Sequence, residues 1–108
     1  MADVKHVSDS DFKTEVEEAK GLVLVDFWGT GCGPCEALAP VIEEVAKELG
    51  DKVKVCKANV DESRNVAIGL DIMTVPTLVL YKNGKVMEND PVIRAKADIV
   101  AMINKHLA

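Results

Sequence analysis

The chain predicts an α/β fold in which strand–helix alternation builds a parallel sheet that an antiparallel hairpin then closes. Leu22 to Trp28 is an apolar run with no alternation until Asp26 interrupts it, the pattern of a strand buried on both faces. Leu38, Ile42, Val45 and Leu49 follow at helical spacing, with Glu43, Glu44, Lys47 and Glu48 on the opposite side. Asn83-Gly84 then separates two short strand-like runs, a strong hairpin signal because both residues tolerate the positive φ that a tight turn demands.

Taken in order, Ser8 followed by Asp11 has the form of a capping box, and Phe12, Val16 and Ala19 share one face of the helix it opens. Gly21 breaks that helix. The run Leu22 to Trp28 belongs at the centre of the sheet, and the long helix after it stops at Gly50-Asp51. Val53 to Val60 reads as the next strand, and Val66 to Leu70 as a short helix starting between Asp61 and Ser63. Read as a βαβαβα order with right-handed crossovers, this gives parallel strands with helices on the faces. Thr77 to Lys82 and Lys85-Val86-Met87 form the antiparallel hairpin. Ile99, Ile103 and Leu107, with Met102 beside them, lay the last helix on a sheet face. No linker, repeat or low-complexity segment divides the chain, so residues 1–108 are expected to form a single domain large enough for its own core.

Thirteen Lys and Arg against eighteen Asp and Glu leave a net charge of −5, which argues against nucleic acid or anionic membrane as a partner. The start, Met1-Ala2-Asp3-Val4-Lys5-His6, lacks the apolar stretch of a signal peptide, and no run approaches a membrane span. A soluble cytoplasmic protein is expected. In that compartment cysteines stay reduced, so a close pair points to catalysis or metal binding rather than to a structural framework.

Cys32-Gly33-Pro34-Cys35 stands directly after the central strand and opens the long helix. Thiols three positions apart on a first helical turn have Cβ atoms about 5–6 Å apart, within easy adjustment of disulfide geometry. The unpaired N–H groups and dipole at a helix N-terminus favour an anion, which makes Cys32 the more acidic thiol and the nucleophile, with Cys35 resolving. The competing reading is half a zinc site. It needs two further ligands, and Cys56, His6 and His106 are scattered, so no metal is expected.

Val25-Asp26-Phe27-Trp28, Cys32-Gly33-Pro34-Cys35, Pro40, Lys57, Val60-Asp61 and Val75-Pro76-Thr77 together resemble the thioredoxin family, nearly end to end. The resemblance implies a thioredoxin fold with a five-stranded mixed central sheet flanked by four helices, general disulfide reductase activity on protein substrates, recycling by a thioredoxin reductase, and no tightly bound cofactor. By itself Asp26 reads as a polar residue at a strand end; the resemblance places it beneath the dithiol, moving a proton to or from Cys35, for which a desolvated carboxyl with a raised pKa is suited. Lys57 by itself reads as a snorkelling surface lysine, although its parity with Val53 and Val55 points it inward; the resemblance makes it the partner of Asp26. Pro76 by itself is an ordinary trans proline; the resemblance implies a cis Val75–Pro76 bond facing the dithiol and a groove in which the Val75 backbone pairs with an extended substrate segment. Gly33 and Pro34 belong to the same surface. Trp28 is expected to pack under the active-site loop, Pro40 to kink its helix, and Cys56 to behave as a small buried hydrophobe.

The chain departs from the family pattern at three places. Gly31 precedes the first cysteine where most thioredoxins carry a tryptophan, which removes apolar contact area. Val92, in Asn89-Asp90-Pro91-Val92-Ile93-Arg94, stands where a groove glycine is usual. Both changes fall on the docking surface and suggest altered partners, including a dedicated reductase, with the chemistry unchanged. Asp71 replaces a glycine at a helix C-terminus, where left-handed backbone is expected. A thiol-disulfide oxidant or isomerase, and a redox-independent peptide-binding module using the cis-proline groove, are the competing functions. A monomer is expected, since no apolar helix face is left over.

Overall fold

The computed structural model describes residues 4–107. Met1 to Asp3 and Ala108, and with them the outer limits of the 1–108 domain and the reading of the first three residues, lie outside the described residues. Five strands, β1 (Val4–Val7), β2 (Leu22–Trp28), β3 (Val53–Asn59), β4 (Thr77–Lys82) and β5 (Lys85–Asp90), form one sheet in the order β1-β3-β2-β4-β5. The β1–β3 and β3–β2 pairs are parallel, and the β2–β4 and β4–β5 pairs antiparallel. This is the thioredoxin fold with its mixed sheet. The helices are α1 (Gly33–Leu49), α2 (Arg64–Gly69) and α3 (Lys96–Lys105), preceded by a helical turn at Lys13–Glu17, which makes four helical segments among the described residues.

β2 lies at the centre, and its first six residues are buried. Its even-numbered residues Leu22 and Leu24 meet Leu78 and Leu80 of β4, Val53 and Val55 of β3, and the apolar faces of α1 (Leu38, Ile42, Val45) and α3 (Ile99, Met102, Ile103). The odd-numbered Val23, Val25 and Phe27 pack with Phe12, Val16, Cys56, Val79 and Tyr81 on the other face. A strand clothed on both sides cannot alternate, which is why its sequence reads as continuous apolar chain.

The structure places the first strand and corrects four local readings. The first strand, Val4–Val7, carries no clear signal because Lys5 and His6 are exposed on this edge. The segment after Ser8 is a π-helical turn, closed by Glu18 N–H donating to Lys13 C=O, and the capping box is half formed: Ser8 N–H donates to Asp11 Oδ1, while Ser8 Oγ pairs with Ser10 Oγ. β5 runs on to Asp90, three residues past the expected end, and β3 stops at Asn59, one short of Val60. Leu107 lies beyond α3 and is exposed.

The Asn83-Gly84 hairpin is as expected, with both residues at positive φ (51° and 81°). It is also tied to the start of β2. Gly21 N–H donates to Asn83 Oδ1 at 2.7 Å, and Asn83 N–H donates to Gly21 C=O at 2.9 Å. These bonds hold one end of the sheet, leaving the opposite end, where β2 gives way to α1, for the site.

Candidate active site at the head of the long helix

Because β2 runs parallel to β3 and enters α1 after four residues, Gly29–Cys32, the first turn of α1 sits at the C-terminal edge of the sheet. Cys32 is the N-cap, with Gly33 and Pro34 as the first helical residues; proline is at home there, where its missing N–H is not needed. Cys32 and Cys35 are joined as a disulfide, with Cα atoms 5.2 Å apart. Cys35 N–H donates to Cys32 Sγ at 3.1 Å, a bond that favours negative charge on that sulfur when the disulfide opens. Cys35 is buried, whereas Cys32 is partly exposed. The outer sulfur is therefore the one a second molecule can reach.

Facing the pair is the turn before β4. The Val75–Pro76 bond is cis, and Thr77 Oγ1 closes the turn by donating to Thr74 C=O at 2.7 Å. Cys32 Sγ lies 3.8 Å from the Val75 carbonyl oxygen. In the disulfide this sulfur has no hydrogen to donate, so the approach is a contact only. Gly29 makes room for it from below: a Cβ there would come within 3.2 Å of Val75 Cγ2.

Asp26 is fully buried in β2, and neither carboxylate oxygen has a hydrogen-bond partner among the described residues. Burial pushes its pKa up to about 6, while Lys57 and Arg94 pull the other way through their charges. Lys57 is the register neighbour of Asp26 across β3. It does not bond to the carboxylate. Its ammonium stands over the Trp28 ring, 5.5 Å from the centroid, so its influence on Asp26 is electrostatic. Trp28 is partly buried, and its Nε1 has no partner among the described residues.

A cavity of about 230 Å³ opens beside the dithiol, lined by Trp28, Thr30, Gly31, Cys35, Glu36 and Lys57 among others. Cys35 and Lys57 both line it, so it joins the inner thiol to the lysine side chain. A wider groove of about 730 Å³ lies at the opposite end of the sheet, near the first residues of β2 and β3, and contains none of the expected site residues. Gly31 has φ +73°, and nothing lies within 4 Å of where its Cβ would stand. Val92 is 75 % exposed on the segment after β5, where Asp90 Oδ1 accepts from the N–H groups of both Val92 and Ile93. Asp71 is left-handed as expected, at φ 58°.

The structure thus gathers Asp26, Trp28, Gly31, Cys32, Gly33, Pro34, Cys35 and Lys57 around the end of β2, with Val75 and Pro76 opposite. Cys56 is fully buried on the other face of the sheet, and burial pushes its thiol up to about 11. No group of three or more His, Cys, Asp or Glu among the described residues is arranged to hold a metal ion. Sequence reasoning gave Arg94 no role. Its Nη1 donates to Pro76 C=O at 3.4 Å and to Pro91 C=O at 3.1 Å, which brings it to the cis-proline turn; a lone arginine in a loop has no periodicity to announce this.

Comparison with known proteins accords with this geometry. The family model described as Thioredoxin matches residues 3–105. The chain belongs to the thioredoxin family. It is 43% identical to the thioredoxin of Bacillus subtilis (strain 168) over 107 residues, covering 99% of this chain and all of that protein. It is 44% identical to the thioredoxin of Rickettsia felis over 102 residues, covering 94% and 97%. The crystal structure of Malassezia sympodialis thioredoxin superposes with a TM-score of 0.86 at 34% identity, covering 100% of this chain and 94% of that one. A thioredoxin-family chain with a disulfide-forming Cys32–Cys35 pair is a thiol-disulfide oxidoreductase. Among the described residues, no helix is long and apolar enough to cross a membrane.

Proposed function

We propose that this chain, residues 1–108 acting as one domain, is a protein-disulfide reductase whose electrons come from the Cys32–Cys35 dithiol. The observation that carries the reading is the bond from Cys35 N–H to Cys32 Sγ at the N-terminus of α1, which prepares the outer sulfur to be a thiolate. The Cys32 thiolate attacks one sulfur of a target disulfide; the target S–S bond breaks, a Cys32–target disulfide forms, and the first target thiolate leaves and takes a proton from water. The Cys35 thiol then gives its proton to the Asp26 carboxylate, and the Cys35 thiolate attacks Cys32 Sγ. The mixed disulfide breaks, the second target thiolate leaves and is protonated, and the Cys32–Cys35 disulfide seen in the structure results. Two electrons have passed to the target. Lys57 acts by charge, keeping the Asp26 carboxylate accessible near neutral pH.

Regeneration takes two electrons from a thioredoxin reductase. Gly31 and Val92 alter the surface it would dock on, which supports a reductase fitted to this chain. A reducing compartment such as the cytoplasm suits a buried free Cys56 beside a working dithiol, and a monomer suffices for every step. Val75 and Pro76, with Trp28, Gly33 and Pro34, would form the walls against which the target lies extended.

The test is a trapping series with a reduction potential. Cys35→Ser should accumulate a mixed disulfide with a disulfide substrate and Cys32→Ser should not. The Cys32–Cys35 couple should be more reducing than a cytosolic glutathione poise of about −220 to −260 mV. A clearly more oxidising couple would point instead to an oxidant or isomerase. Full activity in the Cys32→Ser, Cys35→Ser double variant would point to a binding module.

A further inference from the structure

We propose that Arg94 is a specificity-determining residue that favours target segments carrying an acidic side chain close to the cysteine under attack. The inference rests on the reductase reading and adds to it the chemistry of the substrate. Pro34, between the two cysteines, forms with Ala37, Leu38 and Arg94 a shallow cleft of about 280 Å³. Its lining is mostly apolar and Arg94 is its one charged residue, a setting suited to a side chain with methylenes and a carboxylate.

Arg94 is held in place rather than free to sweep. Its Nη1 is shared between the carbonyls of Pro91 and Pro76. Pro76 adjoins Val75, whose carbonyl lies 3.8 Å from Cys32 Sγ. The guanidinium therefore stands beside the turn on which an extended target would lie. Among the described residues its hydrogen bonds are those two from Nη1, and it takes no part in the ion pairs Lys54–Glu15, Lys96–Glu48, Lys105–Glu88 and His106–Glu88. Asp90 and Asp98 are the nearest acids in sequence; neither pairs with Arg94 among the described residues, and Asp90 commits one carboxylate oxygen to the Val92 and Ile93 N–H groups.

An exposed arginine at the cis-proline turn, in none of these ion pairs, is conspicuous in a chain of net charge −5. An arginine offers a carboxylate a planar fork of donors that a lysine does not. The acid near the dithiol, Glu36, lines the separate cavity with Trp28 and Lys57. The cavity on that side pairs an acid with a base, whereas Arg94 is the one charged residue of the cleft that holds Pro34.

The test uses symmetrical disulfide-linked peptides identical except for Glu, Gln or Lys within two residues of the cysteine, reduced by the parent, Arg94→Gln and Arg94→Lys. The parent should reduce the Glu peptide with a kcat/KM about two- to fivefold above the Gln peptide at low salt, the range for a partly exposed charge pair. The difference should lie in KM and shrink at high salt. Arg94→Gln should bring the Glu to Gln ratio to one, and Arg94→Lys should retain only part of it. Because the ratio is taken within each variant, a general loss of activity does not disturb it. A parent ratio of one, or a ratio that survives Arg94→Gln, overturns the proposal. Failure of the parent to reduce any of the peptides overturns the reductase reading itself, and this inference with it.

Discussion

Replacing Asp26 by Asn should stabilise the oxidised protein at pH 8 and leave it nearly unchanged at pH 4. In the folded state the carboxyl is buried with no hydrogen-bond partner among the described residues, and its pKa rises from 3.8 to about 6. Over that window the folded chain keeps a proton that the unfolded chain has already released. Stability therefore falls as pH rises from about 4 through about 6, and stays low above it. At about 1.4 kcal/mol for each pH unit between the two values, the ionised carboxylate costs the fold about 3 kcal/mol at pH 8. The amide of the Asp26→Asn variant cannot ionise and escapes this cost. Any intrinsic mismatch of the amide is present at both pH values and cancels when they are compared. Urea unfolding followed by Trp28 fluorescence reads the result: at about 1–3 kcal/mol per molar of urea, the gain amounts to a midpoint shift of about 1–3 M at pH 8. A variant-minus-parent difference equal at pH 4 and pH 8 would refute the argument, since the carboxyl would then not be titrating between those limits.

Lys57→Met should raise the Asp26 pKa further, because the lysine charge opposes the effect of burial; carboxyl chemical shifts followed over pH would show it, and a downward or absent shift would exclude the electrostatic link. Gly84→Ala should cost about 2 kcal/mol or more, since φ is +81° and the new Cβ would collide with the Glu17 carbonyl oxygen; an unchanged urea midpoint would contradict that. Cys56 should resist alkylation at pH 8 in the folded protein and react once it is unfolded, since burial holds its thiol near 11; labelling of Cys56 in folded, oxidised protein, detected by mass, would be the contrary result.

What the sequence made legible was whatever burial writes locally. β2 could be placed at the centre of the sheet because both its faces pack, and a strand packed on both faces must be apolar throughout. The Asn83-Gly84 turn could be read because only residues tolerant of positive φ serve there. β1 and the end of β5 could not. They are the two edges of the sheet, where His6 and Asn89 face solvent and leave no pattern. The π-helical turn buries the same Phe12 and Val16 that an α-helix would, so periodicity does not distinguish the two over so few residues. At the site, Cys32 and Cys35 are neighbours along the chain and announce themselves. Arg94 reaches Pro76 only through the sheet, across eighteen residues, and no local signal encodes that contact.

Gly31 is the instructive departure, because reading it as a missing indole understates it. With φ at +73° it occupies backbone that a side chain adopts only at about 1–2 kcal/mol of strain. A tryptophan restored there would have to bend the loop or carry that strain, even though the space is open. Gly31 lines a cavity that reaches Cys35 and Lys57. On the other side of Cys32 the segment after β5 presents Val92 to solvent and brings Arg94 up to Pro76. An acidic target side chain would be met from the Pro34 and Arg94 side, and a tryptophan placed at position 31, which does not line that cleft, should leave the Glu over Gln preference in place.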